Sequence, residues 1–397
     1  ASTLDTAKFE FFFSVCLLSI AIKQNPRLVI NNYNLTLAFL FIWGCLALYS
    51  YVDINNVDKA THNRLIERIG LYFGQFFFAI AIYSYLSFKS YSYIKNVIFF
   101  GAAMNMIAGV IEIIKVGFSG GIDRMSFLSY EPSMAAVFYA AFFFFILTNS
   151  VQNKSINFLS KSYLFFGLMI RSKAQFVSIA FVYISSRALR GIKSFLLIAA
   201  LLFLFYAFSN EILNSLIYYL SGPDKNSIQS QLFSHLTDLQ YVLKNDIFSF
   251  IYFNELGKPS YVVRLSAIHM SFYSLFDNFF GLGWGGFNHY FPQKINELGY
   301  LLLTQDVLSN GVISSEVNEI FSGAQEATPK SYVMEILIST GFFGVLALVA
   351  LFINFIKHYR THKFVVISFF SLFCVAFFVE SVSILALLST LIVLLKK

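Results

Sequence analysis

Five cations lie far apart along the chain: Arg124, Arg171, Lys173, Arg264 and Lys330. Arg264 stands among Tyr261, Val262, Val263 and Leu265, an apolar setting for a permanent charge. A partly buried guanidinium calls for a bidentate anionic partner, because its planar fork of donors matches carboxylate or phosphate oxygens. The partner of each Arg is either a protein carboxylate or a phosphate. Several such cations gathered at one membrane face point to a pyrophosphate, the head group of a polyprenyl-linked sugar.

Carboxylates and imidazoles are fewer. Glu131-Pro132-Ser133 opens an apolar segment. Pro suits the first helical position and Glu suits the positive helix end, so the triplet reads as a helix start. It also reads as a carboxylate that orients or deprotonates a sugar hydroxyl. His269 and His289 accompany the cations. Tyr261, Trp284 and Tyr290 could stack on sugar rings or serve as interface anchors. Glu112 lies inside an apolar segment, with Lys115 one turn on as a simple ion-pair partner. Glu380 falls between two apolar segments, at a turn. No HExxH or phosphate-cradling GK[ST] motif occurs, so zinc hydrolysis and nucleotide hydrolysis lack support.

These residues hang on a strongly apolar chain. Of 397 residues, 57% are hydrophobic and 12% charged, against roughly 25% charged in an average soluble domain. A soluble fold of this length cannot hide so much Phe, Leu and Ile. The apolar runs are continuous, as in Leu196–Phe208, rather than alternating. They therefore read as membrane helices and not as barrel strands. Eleven spans are expected: Phe9–Ile22, Leu28–Val52, Ile69–Phe88, Ile94–Phe118, Pro132–Leu147, Phe158–Ile170, Ala174–Ser186, Ile192–Tyr219, Tyr332–Lys357, Phe364–Val379 and Ser381–Leu395. The first reads as an uncleaved helix rather than a signal peptide, since Asp5 and Glu10 flank it. Arg171-Ser172-Lys173 interrupts a long apolar run, and a polar turn between two short helices exposes these cations at lower cost than burial.

Basic residues in short loops orient membrane helices. Lys357, Arg360 and Lys363 crowd one loop, Arg187, Arg190 and Lys193 another, and Lys396-Lys397 follow the last span. These are expected on the cytoplasmic side. The 123–131 loop, the Arg171–Lys173 turn and the stretch Ser221–Lys330 then face outward, and the two ends of the chain lie on opposite sides. Ser221–Lys330 carries six Lys and Arg against ten Asp and Glu, which leaves a surplus of positive charge elsewhere. The basic residues sit mostly at helix ends, so the net charge of +7 speaks for membrane orientation and not for nucleic acid. Cys16, Cys45 and Cys374 all fall in apolar runs and form no metal or disulfide pattern.

The expected organisation is a transmembrane bundle over residues 1–220, a large extracytoplasmic domain over 221–330, and C-terminal membrane helices over 331–397. Leu232, Leu236, Leu239 and Leu243 recur at helical spacing, so the large loop is expected to be mostly helical, with amphipathic helices. Gly281-Leu282-Gly283-Trp284-Gly285-Gly286-Phe287 requires unusual backbone angles or close backbone approach. It is not a dinucleotide fingerprint, because no buried strand precedes it.

Taken in order, these features resemble the Wzy-type O-antigen polymerases and their relatives, the O-antigen ligases. Arg124 with Glu131-Pro132-Ser133 looks like the polymerases' Arg…Glu-Pro-Ser loop, and Ile170-Arg171-Ser172 like their turn between two short spans. Arg264 ahead of Gly281–Phe287 is similar to the family's Arg and Gly-x-Gly-x-Gly-x-Phe turn. Pro329-Lys330-Ser331, Leu337 and Gly341-Phe342-Phe343-Gly344 match the spacing of a Pro-His-Asn…Leu…Gly-x-x-Gly stretch, with Lys330 in place of His. The large loop before the last spans is the fifth feature, and the resemblance runs from about Asp123 to the end of the chain.

The resemblance implies an all-α, polytopic membrane bundle of about 11–12 transmembrane helices, GT-C-like, with one large extracytoplasmic loop. It implies a metal-independent, cofactor-free, inverting glycosyl transfer at the periplasmic face of the bacterial inner membrane. A growing glycan leaves undecaprenyl pyrophosphate for a sugar hydroxyl of a fresh lipid-linked repeat unit. Arg171 and Arg264 would hold the pyrophosphate, with Arg124, Lys173 and Lys330 in support, and Glu131 would orient or deprotonate the acceptor. Tyr261, Trp284, His289 and Tyr290 are the expected sugar contacts, and a Wzz-type chain-length regulator the expected partner. Lys330 cannot act as a base near neutral pH, and its replacement of His shifts weight from ligase to polymerase. A lipid-linked oligosaccharide flippase is the reading from another class. It is disfavoured because no repeated halves are visible.

Overall fold

The computed structural model describes residues 3–52, 59–117, 137–139, 141–142, 145–146, 271–297, 328–329, 331–378 and 384–397. The helices are α1 (Thr3–Gln24), α2 (Asn32–Tyr51), α3 (Lys59–Ser87), α4 (Tyr91–Gly117), α5 (Phe287–Glu297), α6 (Tyr332–Thr340), α7 (Phe342–Lys357), α8 (Lys363–Phe378) and α9 (Ile384–Leu395). There is no strand among the described residues. Among the described residues, three stretches are long and apolar enough to cross a membrane: Asn32–Tyr51, His62–Ser87 and Tyr91–Glu112. The chain is thus a helical membrane protein. The expected spans Phe158–Ile170, Ala174–Ser186 and Ile192–Tyr219 lie outside the described residues, as does the leucine repeat 232–243.

The described residues divide into two compact units. α1–α4, Asn278–Gly286 and α6–α9 belong to one, and residues 271–277 with α5 to the other. The glycine-rich turn, expected in the extracytoplasmic domain, therefore belongs to the helical unit up to Gly286.

Local chemistry sets the helix starts. Asn25 caps a 3₁₀ turn over Pro26–Leu28 by accepting from Arg27 N–H. Asn31 caps α2 by accepting from Asn34 N–H at 3.0 Å. Two side-chain caps so close together move the helix start from the expected Leu28 to Asn32, because each satisfies N–H groups that a continuous helix would have bonded itself. α3 starts ten residues before the expected Ile69. Its 29 residues span about 43 Å at 1.5 Å per residue, more than the roughly 30 Å of a hydrocarbon core. The excess is the polar first turns bearing Arg64, Glu67 and Arg68.

α3 is the hub of its unit and packs against α1, α2 and α9. It runs antiparallel to α2. The buried Asn34 amide donates to Ser84 Oγ at 2.8 Å, Phe41 meets Phe73 and Phe76, and Leu48 and Val52 cluster with Leu65. α7 and α8 form a hairpin fastened by Phe355 stacked on Phe369 at 3.9 Å. α9 ends beside the end of α3, where Lys396 Nζ donates to Tyr83 Oη.

One end of this unit carries Lys23, Arg27, Lys89, Lys357, Arg360, Lys363, Lys396 and Lys397, with no Asp or Glu among the described residues there. The end where α2 meets α3 carries Glu67 as well as Arg64 and Arg68. Lys89 lies over the rings of Tyr85, Phe88 and Tyr93 at 4.6 to 5.0 Å, an arrangement suited to an interfacial cation.

Candidate functional site

The expected single span Tyr332–Lys357 is two helices. α6 ends at Thr340, and Gly341 adopts φ 57° and ψ −135°, a region closed to residues with a side chain. The turn is sharp. A Cβ at Gly344 would lie 3.4 Å from Leu337 Cα, seven residues back, which a straight helix holds about 10 Å away. Hydropathy had suggested one span because Gly341-Phe342-Phe343-Gly344 is as apolar as its neighbours.

Breaking a helix strands carbonyls on one side and N–H groups on the other. The glycine-rich turn satisfies both. Leu282 N–H donates to Ile338 O at 2.8 Å and Gly283 N–H to Ser339 O at 3.1 Å, which caps α6. Phe342 N–H donates to Phe279 O at 2.9 Å, which caps α7. Trp284 N–H donates to Gly44 O on α2 at 3.3 Å. Such backbone pairing lets irregular chain sit inside a membrane protein without unpaired polar groups. It also explains the glycines. Gly281 has φ 96°, and a Cβ there would lie 2.6 Å from Ser339 O and 2.8 Å from Gly341 N. A Cβ at Gly283 would collide with the backbone of Leu48.

Trp284 anchors the turn. Its side chain is fully buried, and its Nε1–H donates to Phe41 O at 2.9 Å. The indole stacks on Tyr72 at 4.6 Å and meets Phe76 edge-on at 5.3 Å. The expectation that Trp284 stacks on a sugar is therefore corrected, since both ring faces are committed to packing and none is left for a ligand. The turn is preceded by helical residues 271–277, in keeping with its not being a nucleotide-binding strand–turn–helix.

α6 brings polar groups inward. Ser331 caps it by accepting from Met334 N–H. Buried Tyr332 donates to Gln75 Oε1 on α3 at 2.7 Å. Glu335, 3% exposed, is a buried carboxylate in the first turn of α6. Gln75 and Glu335 escaped the sequence reading. The available signal was an ionisable or amide side chain inside an apolar run, which is costly and so marks a functional or structural contact. Gln75→Leu should destabilise the protein by about 1–3 kcal/mol, by removing the buried acceptor of the Tyr332 hydroxyl. Adding Tyr332→Phe should recover part of that loss. Thermal unfolding of both single variants and the double variant in detergent measures the coupling.

In the other unit, α5 carries His289 and Tyr290. His289 is half-buried and its Nε2 lies 2.9 Å from Gln293 Nε2, one turn on. Tyr290 is 5% exposed, donates to Asp277 Oδ2 at 2.7 Å and lies against Phe287. Tyr290, too, is corrected as a sugar platform. Its hydroxyl and its ring are already used within the unit. Lys294 Nζ reaches the same Asp277 oxygen at 2.7 Å.

Desolvation pushes the Asp277 carboxyl up. The hydrogen bonds from Lys294 and Tyr290 and the Lys294 charge together outweigh it and hold the carboxyl below its usual value of 3.8. Asp277 is 37% exposed, so screening limits the pair to about 0.5–1 kcal/mol. A lowered folded-state pKa gives stability that is full above pH 3.8 and lost as pH falls through the folded value. Asp277→Asn should therefore lower Tm slightly at pH 7 and make no difference once the wild-type carboxyl is protonated. Melting curves from pH 7 downward test this.

Arg124, Glu131, Arg171, Lys173, Tyr261, Arg264, His269, Lys330 and Glu380 lie outside the described residues, as does the side chain of Lys115. Among the described residues no group of three or more His, Cys, Asp or Glu is placed to hold a metal ion. Set against protein-family models, curated proteins and solved structures, the chain finds no match in any of the three.

Proposed function

We propose that this protein is a polytopic glycosyltransferase that polymerises undecaprenyl-pyrophosphate-linked O-antigen repeat units at the periplasmic face of the bacterial inner membrane. One observation carries the reading. The two stretches that resemble polymerase motifs, Gly281–Phe287 and Gly341–Gly344, are some 60 residues apart in sequence. Leu282 and Gly283 of the first donate to Ile338 and Ser339, at the helix break made by the second. Segments matched separately by their pattern thus form one structural piece. The distribution of charge agrees with the orientation. The end rich in cations and free of described acids is the cytoplasmic one by the positive-inside rule. The glycine junction, level with Gly44 and Leu48, lies toward the opposite end.

In the reaction, the C1–O bond from the glycan to pyrophosphate breaks. A C1–O bond to the acceptor hydroxyl forms with inversion, and the acceptor proton leaves to a base. Pyrophosphate is already a good leaving group, so catalysis rests on charge stabilisation and positioning. Arg171 and Arg264 take the first role, supported by Arg124, Lys173 and Lys330. Glu131 orients or deprotonates the acceptor. Purified protein incubated with lipid-linked repeat units alone should give a ladder of polymer. Product that forms only when lipid A-core is added would make it a ligase instead, and no product in either mixture would reject both.

A further inference from the structure

A cavity of about 410 Å³ opens between the start of α2, α6, α7, α8 and α9. That volume lies within the roughly 300–1,000 Å³ of ligand sites. Its walls are graded along their length. Leu337, Ala347, Leu351 and Leu388 line an apolar body, whereas Asn32, Tyr33, Asn354 and Lys396 line the end nearest the cation-rich face. The walls thus have the profile of an amphiphile, with hydrocarbon along the body and an anion at the mouth.

Lys396 gives that anion a partner. It is exposed, and it spends one N–H on Tyr83 Oη. An ammonium has three donors, so two remain for phosphate oxygens. Lys397, Lys357, Arg360 and Lys363 share this end, and no Asp or Glu among the described residues opposes them. One polar wall side chain at this end is held in place: Tyr33 Oη lies 3.0 Å from Ser389 Oγ.

We propose that this cavity binds one anionic phospholipid, with an acyl chain along the apolar body and the phosphate at Lys396. Lys396 lies at the end of the helices away from the glycine junction, whereas the apolar body reaches Leu337 and Gly344 beside that junction, so the occupant is a resident lipid that fills the space between α2 and the α7–α8 hairpin. The inference does not depend on the polymerase reading.

Native mass spectrometry of the full chain in mild detergent tests it, with phosphatidylglycerol and phosphatidylcholine of identical acyl chains as probes. Wild type should retain one phosphatidylglycerol under activation that strips phosphatidylcholine. Lys396→Ala should weaken phosphatidylglycerol binding about fivefold, the effect of one basic residue near an anionic lipid surface. Tyr83→Phe, which removes the hydrogen bond to Lys396 and keeps the cation, should bind as wild type does. Ala347→Phe should fill the cavity and lose both lipids. Should that variant fail to fold, Lys396→Ala decides alone. Equal retention of the two lipids by wild type, or unchanged phosphatidylglycerol binding in Lys396→Ala or Ala347→Phe, overturns the proposal.

Discussion

Gly341→Ala should cost the protein its folded state. Two penalties fall on one added methyl group. The first is conformational: φ 57° with ψ −135° is a glycine-only region, and forcing a side chain into it costs about 1–3 kcal/mol. The second is steric, since the new Cβ would overlap Phe279 O and Gly281 N. Those are backbone atoms of the turn that caps α6 and α7, and they cannot rotate away. Relief requires withdrawing the turn, which forfeits the hydrogen bonds at Ile338, Ser339 and Phe342. The sum exceeds about 4 kcal/mol, in the range of the rare severe substitutions. The measurement is the monodisperse fraction and Tm after extraction in mild detergent.

Two further glycines calibrate this result. At Gly344 the obstacle is the Thr340 hydroxyl, a side-chain atom that can turn aside, so Gly344→Ala should be milder. At Gly70, within α3, a Cβ meets nothing within 4 Å. Gly70→Ala should therefore raise stability, by up to about 1 kcal/mol from helix propensity alone. A Gly341→Ala protein as stable as wild type would mean that the break in the helix is not as described.

The second large effect is on activity. Arg171→Ala and Arg264→Ala should each abolish polymer while leaving the amount of folded protein unchanged. Fixed cations that meet charge developing on a leaving group are worth about 10²- to 10³-fold each in rate. Polymer length falls with the rate of each addition, so even the smaller figure removes the ladder. Lys in place of either Arg should restore only part, because an ammonium lacks the guanidinium fork. Wild-type polymer length and yield in either Ala variant would defeat the polymerase reading. Such a result would leave the lipid proposal at Lys396 untouched, since that proposal rests on neither residue.

Much of the helical layout was legible in sequence. Apolar runs marked α2, α4, α8 and α9 to within about four residues and α1 to within about six, because transfer free energy of side chains is a local, additive quantity. The side-chain caps that set the starts of α2 and α6, Asn31 and Ser331, are seen only in the structure. The glycine-rich stretch 281–287 is recognisable as unusual backbone from its composition alone.

What the sequence by itself determined is a helical membrane chain, with basic residues collected at helix ends and glycines where the backbone bends. The tertiary structure alone decided what those glycines do. The break at Gly341 was invisible to hydropathy, which sums side chains and ignores φ. The pairing of Leu282 with Ile338, and the burial of Trp284 against Tyr72, depend on contacts between residues 56 and 212 positions apart, which no local window contains. A tryptophan beside glycines reads as a sugar platform in sequence. Whether its ring faces a ligand or a neighbouring helix depends on which backbone comes close enough to cover it.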